Sequence, residues 1–186
     1  MLEVEVKVRI LQEDRIPELI SVIIGRGYED LGTFIDEDVY FNHPCKDFAT
    51  TDEALRIRKA ERQTITYKGP KLSSKSKTRE EIVLEISDLS KAERLLASLG
   101  FKAVGKVYKE RRKFSKGDSL LTLDYVPKLG WFAELEILVD DGKKFSDLEQ
   151  KAIDELRQIF VDVEYVRESY LEMLLGNGVE DNSPRP

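Results

Sequence analysis

Charged residues alternate with aliphatic residues at the start of this chain, where Glu3, Glu5 and Lys7 lie between hydrophobic neighbours. Successive side chains of a β-strand point to opposite faces, so this spacing predicts a strand with one apolar and one ionic face. A single strand of this kind is typical of a solvent-exposed sheet. The pattern recurs, however, at Arg56, Arg58, Lys68, Arg79, Glu81, Glu85, Arg111, Lys113, Glu134 and Glu136. Several strands that mix acids and bases favour a sheet curled around a charged interior.

The charged residues on these strands form pairs in which two like charges lie two residues apart, on one face. The pairs are Glu3/Glu5, Arg56/Arg58 and Glu134/Glu136. Carboxylate oxygens bind hard cations such as Mg²⁺ together with water and phosphate oxygens, and guanidinium groups match the oxygens of phosphate. Buried ions are costly unless they are paired or meet a charged ligand. The pattern therefore predicts a polyphosphate bridged by a divalent metal.

Each motif has a plainer interpretation when it is taken alone. A charged strand face or an arginine pair is usually solvated, and the Ser- and Lys-rich segment 71–77 is typical of a mobile surface loop. His43 lies beside a proline in a predicted turn, and Trp131 is expected to pack rather than to recognise a ligand. Only the joint occurrence of the charged motifs indicates a site.

Length and charge limit the class of protein. The 186 residues suit one domain, and the net charge of −6 argues against a nucleic-acid surface, which needs a basic excess. The single cysteine, Cys45, excludes an intrachain disulfide framework. There is no apolar signal segment and no run long enough to cross a membrane. We therefore expect a cytoplasmic protein without membrane or nucleic-acid partners, and a homodimer stays open.

Hydrophobic periodicity and turn residues divide the chain into alternating elements. Capping-box signatures at Ser90/Glu93 and Ser146/Glu149 predict the starts of two helices. The tail 176–186, rich in Gly, Asn, Ser and Pro, is expected to be disordered, which leaves 1–175 as one domain. Strands are predicted over 2–10, 32–41, 54–59, 63–68, 79–87, 104–115, 119–125 and 132–139, and helices over 14–26, 90–100, 146–160 and 166–175.

An internal echo links residues 26–41 to residues 99–114. Gly27 matches Gly100 and Phe41 matches Phe114, and each copy follows a strand and a helix. In this alignment Asp36 and Asp38 fall on Lys109 and Arg111, so equivalent positions carry opposite charges. The chain either consists of two related halves or repeats a common sequence of helix, glycine and strand, and the sequence leaves both interpretations open.

The motifs together resemble the CYTH family of triphosphate tunnel metalloenzymes, whose signature Glu-x-Glu-x-Lys is similar to Glu3-x-Glu5-x-Lys7. The resemblance implies an α+β fold in which a closed eight-stranded antiparallel β-barrel, the tunnel, has helices packed outside. It also implies Mg²⁺ or Mn²⁺ as cofactor and a triphosphate as substrate. The similarity continues in family order through residues 54–58, 67–70, 79–85, 109–111, 123–124, 132–136 and 169–171.

The resemblance also implies a role for each matching residue. Glu5, Lys7, Glu134 and Glu136 are implied as catalytic residues. Glu81 and Glu85 are implied as tunnel acids without an assigned role. The implied substrate ligands are Lys7, Arg56, Arg58, Lys68, Arg79 and Arg111, and the implied metal ligands are Glu3, Glu5, Asp124, Glu134 and Glu136.

Within the family, residues 38–41 and 47–56 most resemble the class IV adenylate cyclases, which convert ATP to cyclic AMP and pyrophosphate. The alternative is a triphosphatase that hydrolyses thiamine triphosphate, tripolyphosphate or a nucleoside triphosphate. A second alternative is a non-enzymatic nucleotide or polyphosphate binder. Such a binder would keep the basic residues without needing both glutamate pairs and Asp124.

Overall fold

The strands of this chain close into a barrel that carries its helices on the outside. The computed structural model describes residues 2–74, 76–138 and 145–184. The elements are β1 (Leu2–Ile10), a 3₁₀ helix (Glu13–Arg15), α1 (Ile16–Gly25), β2 (Glu29–Asn42), α2 (Phe48–Thr51), β3 (Ala54–Lys59), β4 (Thr64–Lys68), β5 (Arg79–Glu85), α3 (Leu89–Ser98), β6 (Lys102–Lys116), β7 (Ser119–Val126), β8 (Gly130–Leu138), α4 (Phe145–Ile159), β9 (Val163–Tyr165) and α5 (Tyr170–Gly176).

Eight antiparallel strands form the barrel in the order β5-β4-β3-β2-β6-β7-β8-β1, and a β5–β1 pairing closes it. The short β9 pairs with the free end of β1. The predicted closed eight-stranded barrel with helices outside is confirmed. None of the helices in the described ranges has both the length and the apolarity needed to cross a membrane.

Two seams of the barrel differ in their pairing. The β2–β6 seam runs the full length of β2, from Glu29 to Asn42. At the β5–β1 seam only Leu2 and Glu3 pair with β5. Further along β1, the amide of Lys77 donates to the Glu5 carbonyl at 2.9 Å and the amide of Val166 donates to the Lys7 carbonyl at 3.0 Å. A loop and a short strand therefore complete this seam.

The main hydrophobic core lies outside the barrel, under α1 and α4. The aliphatic face of β1 contributes Val4, Val6 and Val8, which pack with Ile23 and Leu156 of the two helices. Burying each such side chain stabilises the fold by about 1.5–3 kcal/mol. Since the side chains of a strand alternate between faces, this burial turns the ionic face of β1 into the lumen.

The internal echo corresponds to a structural similarity. Each of β2 and β6 follows a helix that ends at a glycine with positive φ, Gly27 at +87° and Gly100 at +89°. In both cases the next aromatic residue donates its amide back to the helix. The two strands are antiparallel neighbours in which Asp36 stands directly opposite Lys109, its equivalent in the echo. This is the arrangement expected of two halves related by a two-fold axis, and duplication stays a hypothesis.

Several predicted boundaries are wrong. Asp88, not Ser90, caps α3, and its carboxylate accepts the Lys91 amide at 2.9 Å. Asp and Ser are comparable caps, and the aspartate comes first in the chain. At α4, Glu149 accepts a hydrogen bond from Ser73 instead of completing a capping box. The capping box formed at α5 joins Ser169 and Glu172, so the helix predicted over 166–175 begins only at Tyr170.

The tail differs from the disorder expected of its composition over residues 177–184. Asn182 is buried, its carboxamide oxygen accepts the Tyr108 amide at 2.6 Å and its amide nitrogen donates to the Tyr108 carbonyl at 2.9 Å. The carbonyl of Glu180 accepts the Lys106 amide at 2.7 Å. These bonds satisfy backbone groups of β6, which composition cannot reveal. Residues 185–186 lie outside the described residues.

Candidate active site

The ionic faces of the strands enclose one lumen, a cavity of about 810 Å³. The hydrophobic faces point the other way, toward the helices, so the charges converge on a common axis. Two predicted residues, Lys7 and Asp124, are almost fully buried beneath the cavity wall. The predicted residues that line the cavity directly are Glu3, Glu5, Arg56, Arg58, Lys68, Arg79, Arg111, Glu134 and Glu136.

Arg111 holds two of the predicted metal ligands at the base of the lumen. It donates to Asp124 at 2.7 and 2.5 Å and also pairs with Glu134. The Tyr170 hydroxyl of α5 donates to Asp124 at 2.9 Å. Burial alone would raise the pKa of Glu134, but Lys77 and Arg111 outweigh it and hold that pKa well below its usual range.

A second cluster surrounds Asp38 of β2. Arg58 donates to its carboxylate at 2.7 and 2.9 Å, the Lys109 ammonium lies 3.2 Å away and Arg56 lies 3.5 Å away. Asp36 lies 3.3 Å from Arg58 and 3.5 Å from Lys109. Burial would raise the pKa of Asp38, yet Arg58 and Lys109 hold it well below its usual range. In this cluster, which we call the cationic wall, positive groups outnumber carboxylates.

Carboxylates predominate near the end of the lumen formed by β1, β5 and β8. We call Glu3, Glu5, Glu81 and Glu136 at this end the acidic rim. Burial, reinforced by Glu136 and Glu81, raises the pKa of Glu3 to about 9. Burial and the charges of Glu5 and Glu134 raise the pKa of Glu136 to about 7, although Arg111 opposes them from 3.9 Å. Lys68 lies 2.5 Å from Glu81. Within the rim, Glu3 and Glu136 are therefore the carboxylates whose pKa values are raised, whereas burial of Glu81 is outweighed by Lys68, which lowers its pKa.

The acidic rim has the donor chemistry of a divalent-metal site. Glu5 stands directly opposite Glu136 in the β1–β8 ladder, and Glu3 interacts electrostatically with both. A bound Mg²⁺ or Mn²⁺ would offset the burial and the mutual repulsion that raise the pKa values of Glu3 and Glu136. Among the described residues, no three His, Cys, Asp or Glu side chains already stand at metal-binding distance. The residues fit such an ion, and the individual ligands stay predictions.

Several buried basic atoms have no hydrogen-bond partner among the residues that the structure describes. Those among the predicted substrate ligands are Nζ of Lys7 and Nε of Arg56 and of Arg79. Lys7 instead lies 4.0 Å above the ring of Tyr170, and burial together with the charge of Lys77 lowers its pKa well below its usual range. An unsatisfied buried donor is costly, so an anion that brought acceptors into the lumen would bind favourably.

Two expectations for the surroundings of the site are corrected. Glu85, expected among the tunnel acids, is exposed and pairs at 2.8 Å with exposed Arg62, because β5 extends beyond the cavity. The loop 71–77 was expected to be a mobile surface feature, yet Ser76 and Lys77 are buried at the β5–β1 seam.

His43 and Trp131 pack against other side chains of the protein. The Nδ1 atom of His43 accepts the Cys45 amide at 3.1 Å, and its ring packs edge-on against Phe101. Trp131 packs against Tyr125, which fits the expected packing role. Neither residue lines the cavity.

Five residues of the site were not assigned to it from the sequence: Asp36, Asp38, Lys77, Lys109 and Tyr170. Asp36 and Asp38 have the two-residue spacing, but the acidic Glu37 between them interrupts the apolar face of β2 that would have oriented them. Lys109 lies two residues before Arg111, so strand alternation alone predicts that both side chains share one face. In the structure Lys109 is almost fully buried. Lys77 and Tyr170 lie outside the barrel strands, and no periodicity could have found them.

Comparison with known proteins identifies the class to which this barrel belongs. The CYTH domain model matches residues 1–170, and the chain therefore belongs to the CYTH domain family. The proteins of this family are adenylate cyclase or triphosphatase enzymes. The predicted family and the prediction of an enzyme are confirmed.

Relatives extend this similarity over nearly the whole chain. A Methanocaldococcus jannaschii protein named "Putative adenylate cyclase MJ0240" is 37% identical over 175 residues, which are 93% of this chain and 98% of the relative. The structure of the PH1819 protein from Pyrococcus horikoshii OT3 is 41% identical, with a TM-score of 0.84 over 94% of this chain and 99% of the other. The chain thus has a relative with an adenylate cyclase name over nearly its whole length, and it shares its fold with the PH1819 protein.

A more distant structure shares the fold. It belongs to a Hippeastrum protein named "Putative adenylyl cyclase HpAC1" and described as having a dominant triphosphatase activity. Its identity is 18%, and its TM-score is 0.66 over 96% of each chain.

Proposed function

We propose that this chain is a divalent-metal-dependent enzyme that acts on a triphosphate held in the barrel lumen, and that it converts ATP to cyclic AMP and pyrophosphate. One observation carries the proposal: a single cavity joins a cationic wall to an acidic rim in which burial and neighbouring carboxylates raise the pKa values of Glu3 and Glu136. A triphosphate supplies acceptors to the wall, and a divalent cation supplies positive charge to the rim. The adenylate cyclase name of a relative that spans the chain supports the specific reaction.

The cations of the lumen would bind the phosphate oxygens. Salt bridges to carboxylates fix the directions of the arginines before substrate arrives, so little reorganisation accompanies the reaction. As pyrophosphate leaves, these groups would stabilise the charge that gathers on it. We assign this role to Lys7, Arg56, Arg58, Lys68, Arg79 and Arg111, and we add Lys109.

The carboxylates would hold Mg²⁺ or Mn²⁺ and keep it beside the phosphates. Glu3, Glu5 and Glu136 of the acidic rim are the first candidates for metal ligands. Glu134 and Asp124 are further candidates, and both form ion pairs with Arg111. When bound, such an ion neutralises phosphate charge and lowers the pKa of an attacking hydroxyl. The 3′-hydroxyl of the ribose would attack the α-phosphorus in line. Triphosphates and Mg²⁺ are cytoplasmic, which is the compartment we propose.

A triphosphatase is the second candidate, favoured by the activity described for the Hippeastrum protein with the same fold. In that reaction water replaces the ribose hydroxyl as nucleophile, and the terminal phosphorus is attacked instead. The same wall and rim would serve both reactions. The choice depends on which nucleophile the end of the lumen admits.

Product identification tests the proposal. The purified chain is incubated with ATP, thiamine triphosphate or tripolyphosphate, with Mg²⁺ or Mn²⁺ and with EDTA as the metal-free control. We expect cyclic AMP and pyrophosphate from ATP, while orthophosphate would establish the second candidate. Tight binding without turnover would identify a non-enzymatic binder. If the chain neither bound nor converted any triphosphate, the assignment would be overturned.

A further inference from the structure

Lys77 enters the lumen from the loop between β4 and β5. Its ammonium lies 2.6 Å from Oε1 of Glu5 and 3.4 Å from Oε1 of Glu134, and only 7% of its side chain is exposed. Both carboxylates are predicted metal ligands. The ammonium therefore stands at the place where a divalent cation would contact these oxygens.

The backbone around Lys77 holds this position from the β5–β1 seam. The Lys77 amide donates to the Glu5 carbonyl, so main chain and side chain engage the same residue. The hydroxyls of Ser76 and Thr78 lie 2.6 Å apart, and both residues are buried. The position is a built part of the lumen and not an accidental surface contact.

A divalent cation and the Lys77 ammonium cannot both stay at Glu5 without strong repulsion. Lys7 already brings a second buried ammonium close by, 3.9 Å from the same Oε1 atom of Glu134. Coulomb energy between charges a few ångströms apart is large where water is excluded. Removing either positive group should therefore strengthen the binding of the other.

We propose that Lys77 is a built-in competitor of the divalent metal, a counter-ion that neutralises Glu5 and Glu134 in the metal-free protein and leaves them when the metal binds. The inference rests on the proposed function, since it assumes that the acidic rim binds a divalent cation. It assigns Lys77 a positioning role at the metal site, not contact with the reacting atoms. Metal affinity is then set partly by a residue that is not a ligand.

The test is calorimetric titration of Mn²⁺ into the substrate-free protein, with no turnover involved. We expect Lys77→Met to bind Mn²⁺ about tenfold more tightly than the native chain, because one nearby positive charge is removed. Lys77→Arg keeps the charge and should bind Mn²⁺ as the native chain does. Lys113→Met is the matched control: it removes a cavity-lining lysine that lies 3.6 Å from Glu61 instead. Circular dichroism verifies that each variant is folded.

Each outcome is decisive. Tighter binding by Lys77→Met alone supports the competitor role. Unchanged or weaker binding, or equal tightening by Lys113→Met, would overturn it while leaving the product assay to judge the proposed function. If neither the native chain nor any variant bound Mn²⁺, the metal dependence in the proposed function would fail together with this inference.

Discussion

The cationic wall and the acidic rim both place carboxylates along the lumen, yet the pKa values of Asp38 at the wall and Glu3 at the rim move in opposite directions. At the wall, Asp38 faces Arg58, Arg56 and Lys109, and its pKa is held well below the usual range. At the rim, Glu3 faces other carboxylates, and its pKa is raised to about 9. Burial disfavours the charge of both groups, so their neighbours decide the difference. The carboxylates of the wall have cationic partners, whereas burial and neighbouring carboxylates disfavour the charge of Glu3 and Glu136 at the rim.

The largest difference expected between the two regions is a loss of folding stability when a carboxylate of the cationic wall is replaced. Asp38→Asn would leave Arg58, Arg56 and Lys109 with Asp36 as the one carboxylate remaining in the cluster, and breaking a buried ionic cluster in this way costs about 3–5 kcal/mol. Urea unfolding followed by circular dichroism measures this loss. A change below about 1 kcal/mol would mean that solvent already screens the cluster.

The same kind of substitution at the rim should spare the fold and remove activity. Glu136→Gln takes away a carboxylate that is repelled by Glu5 and Glu134, so the metal-free protein should keep its stability. Turnover of the triphosphate should fall by about 10²–10³-fold or more, the scale seen when one preorganised electrostatic group is lost. Steady-state rates with Mg²⁺ and an unfolding curve with EDTA test both parts. Global unfolding would instead point to a structural ion pair.

Stability of the metal-free rim should depend on pH. The folded pKa of Glu136, about 7, lies above its ordinary value of 4.5, so its stabilising contribution is complete below 4.5 and is lost as pH rises through 7. The native chain should therefore lose stability relative to Glu136→Gln as pH rises from about 4.5 to about 7. Thermal unfolding of both proteins in EDTA measures the difference, which should amount to roughly a few degrees. A constant difference across this range would contradict the raised pKa.

The smallest effect is expected outside both regions. Glu85 and Arg62 form an exposed pair, and such pairs contribute at most about 1 kcal/mol. Glu85→Gln should leave the unfolding free energy within about 0.5 kcal/mol and turnover unchanged. The rate assay used for Glu136→Gln measures this. A marked loss of turnover would return Glu85 to the tunnel acids.

Much of the barrel follows from local patterns. Alternation along β1 places Glu3, Glu5 and Lys7 on one face because strand geometry has a period of two, and the valines between them can be buried only under the helices. The antiparallel ladders then carry the same alternation to Arg111 and Glu136. The strands were therefore predictable one element at a time, whereas the charged interior followed only from the joint occurrence of several such strands.

The balance of charge in the lumen was not predictable in this way. It depends on which strands are neighbours, since β2 meets β6 and β3 at the wall while β1 meets β8 and β5 at the rim. Lys77 and Tyr170 reach the site from a loop and from a helix near the end of the chain. Their positions follow from long-range closure, for which a local pattern holds no information.

The sequence by itself determined the barrel, its ionic interior and its family, because period-two alternation and the order of the motifs are properties of the chain alone. Only the tertiary structure decided which carboxylates lie beside arginine and lysine and which have pKa values raised by burial and by other carboxylates. The physical reason is that a pKa depends on the distance to other charges in space and on burial, and both are set when the strands close.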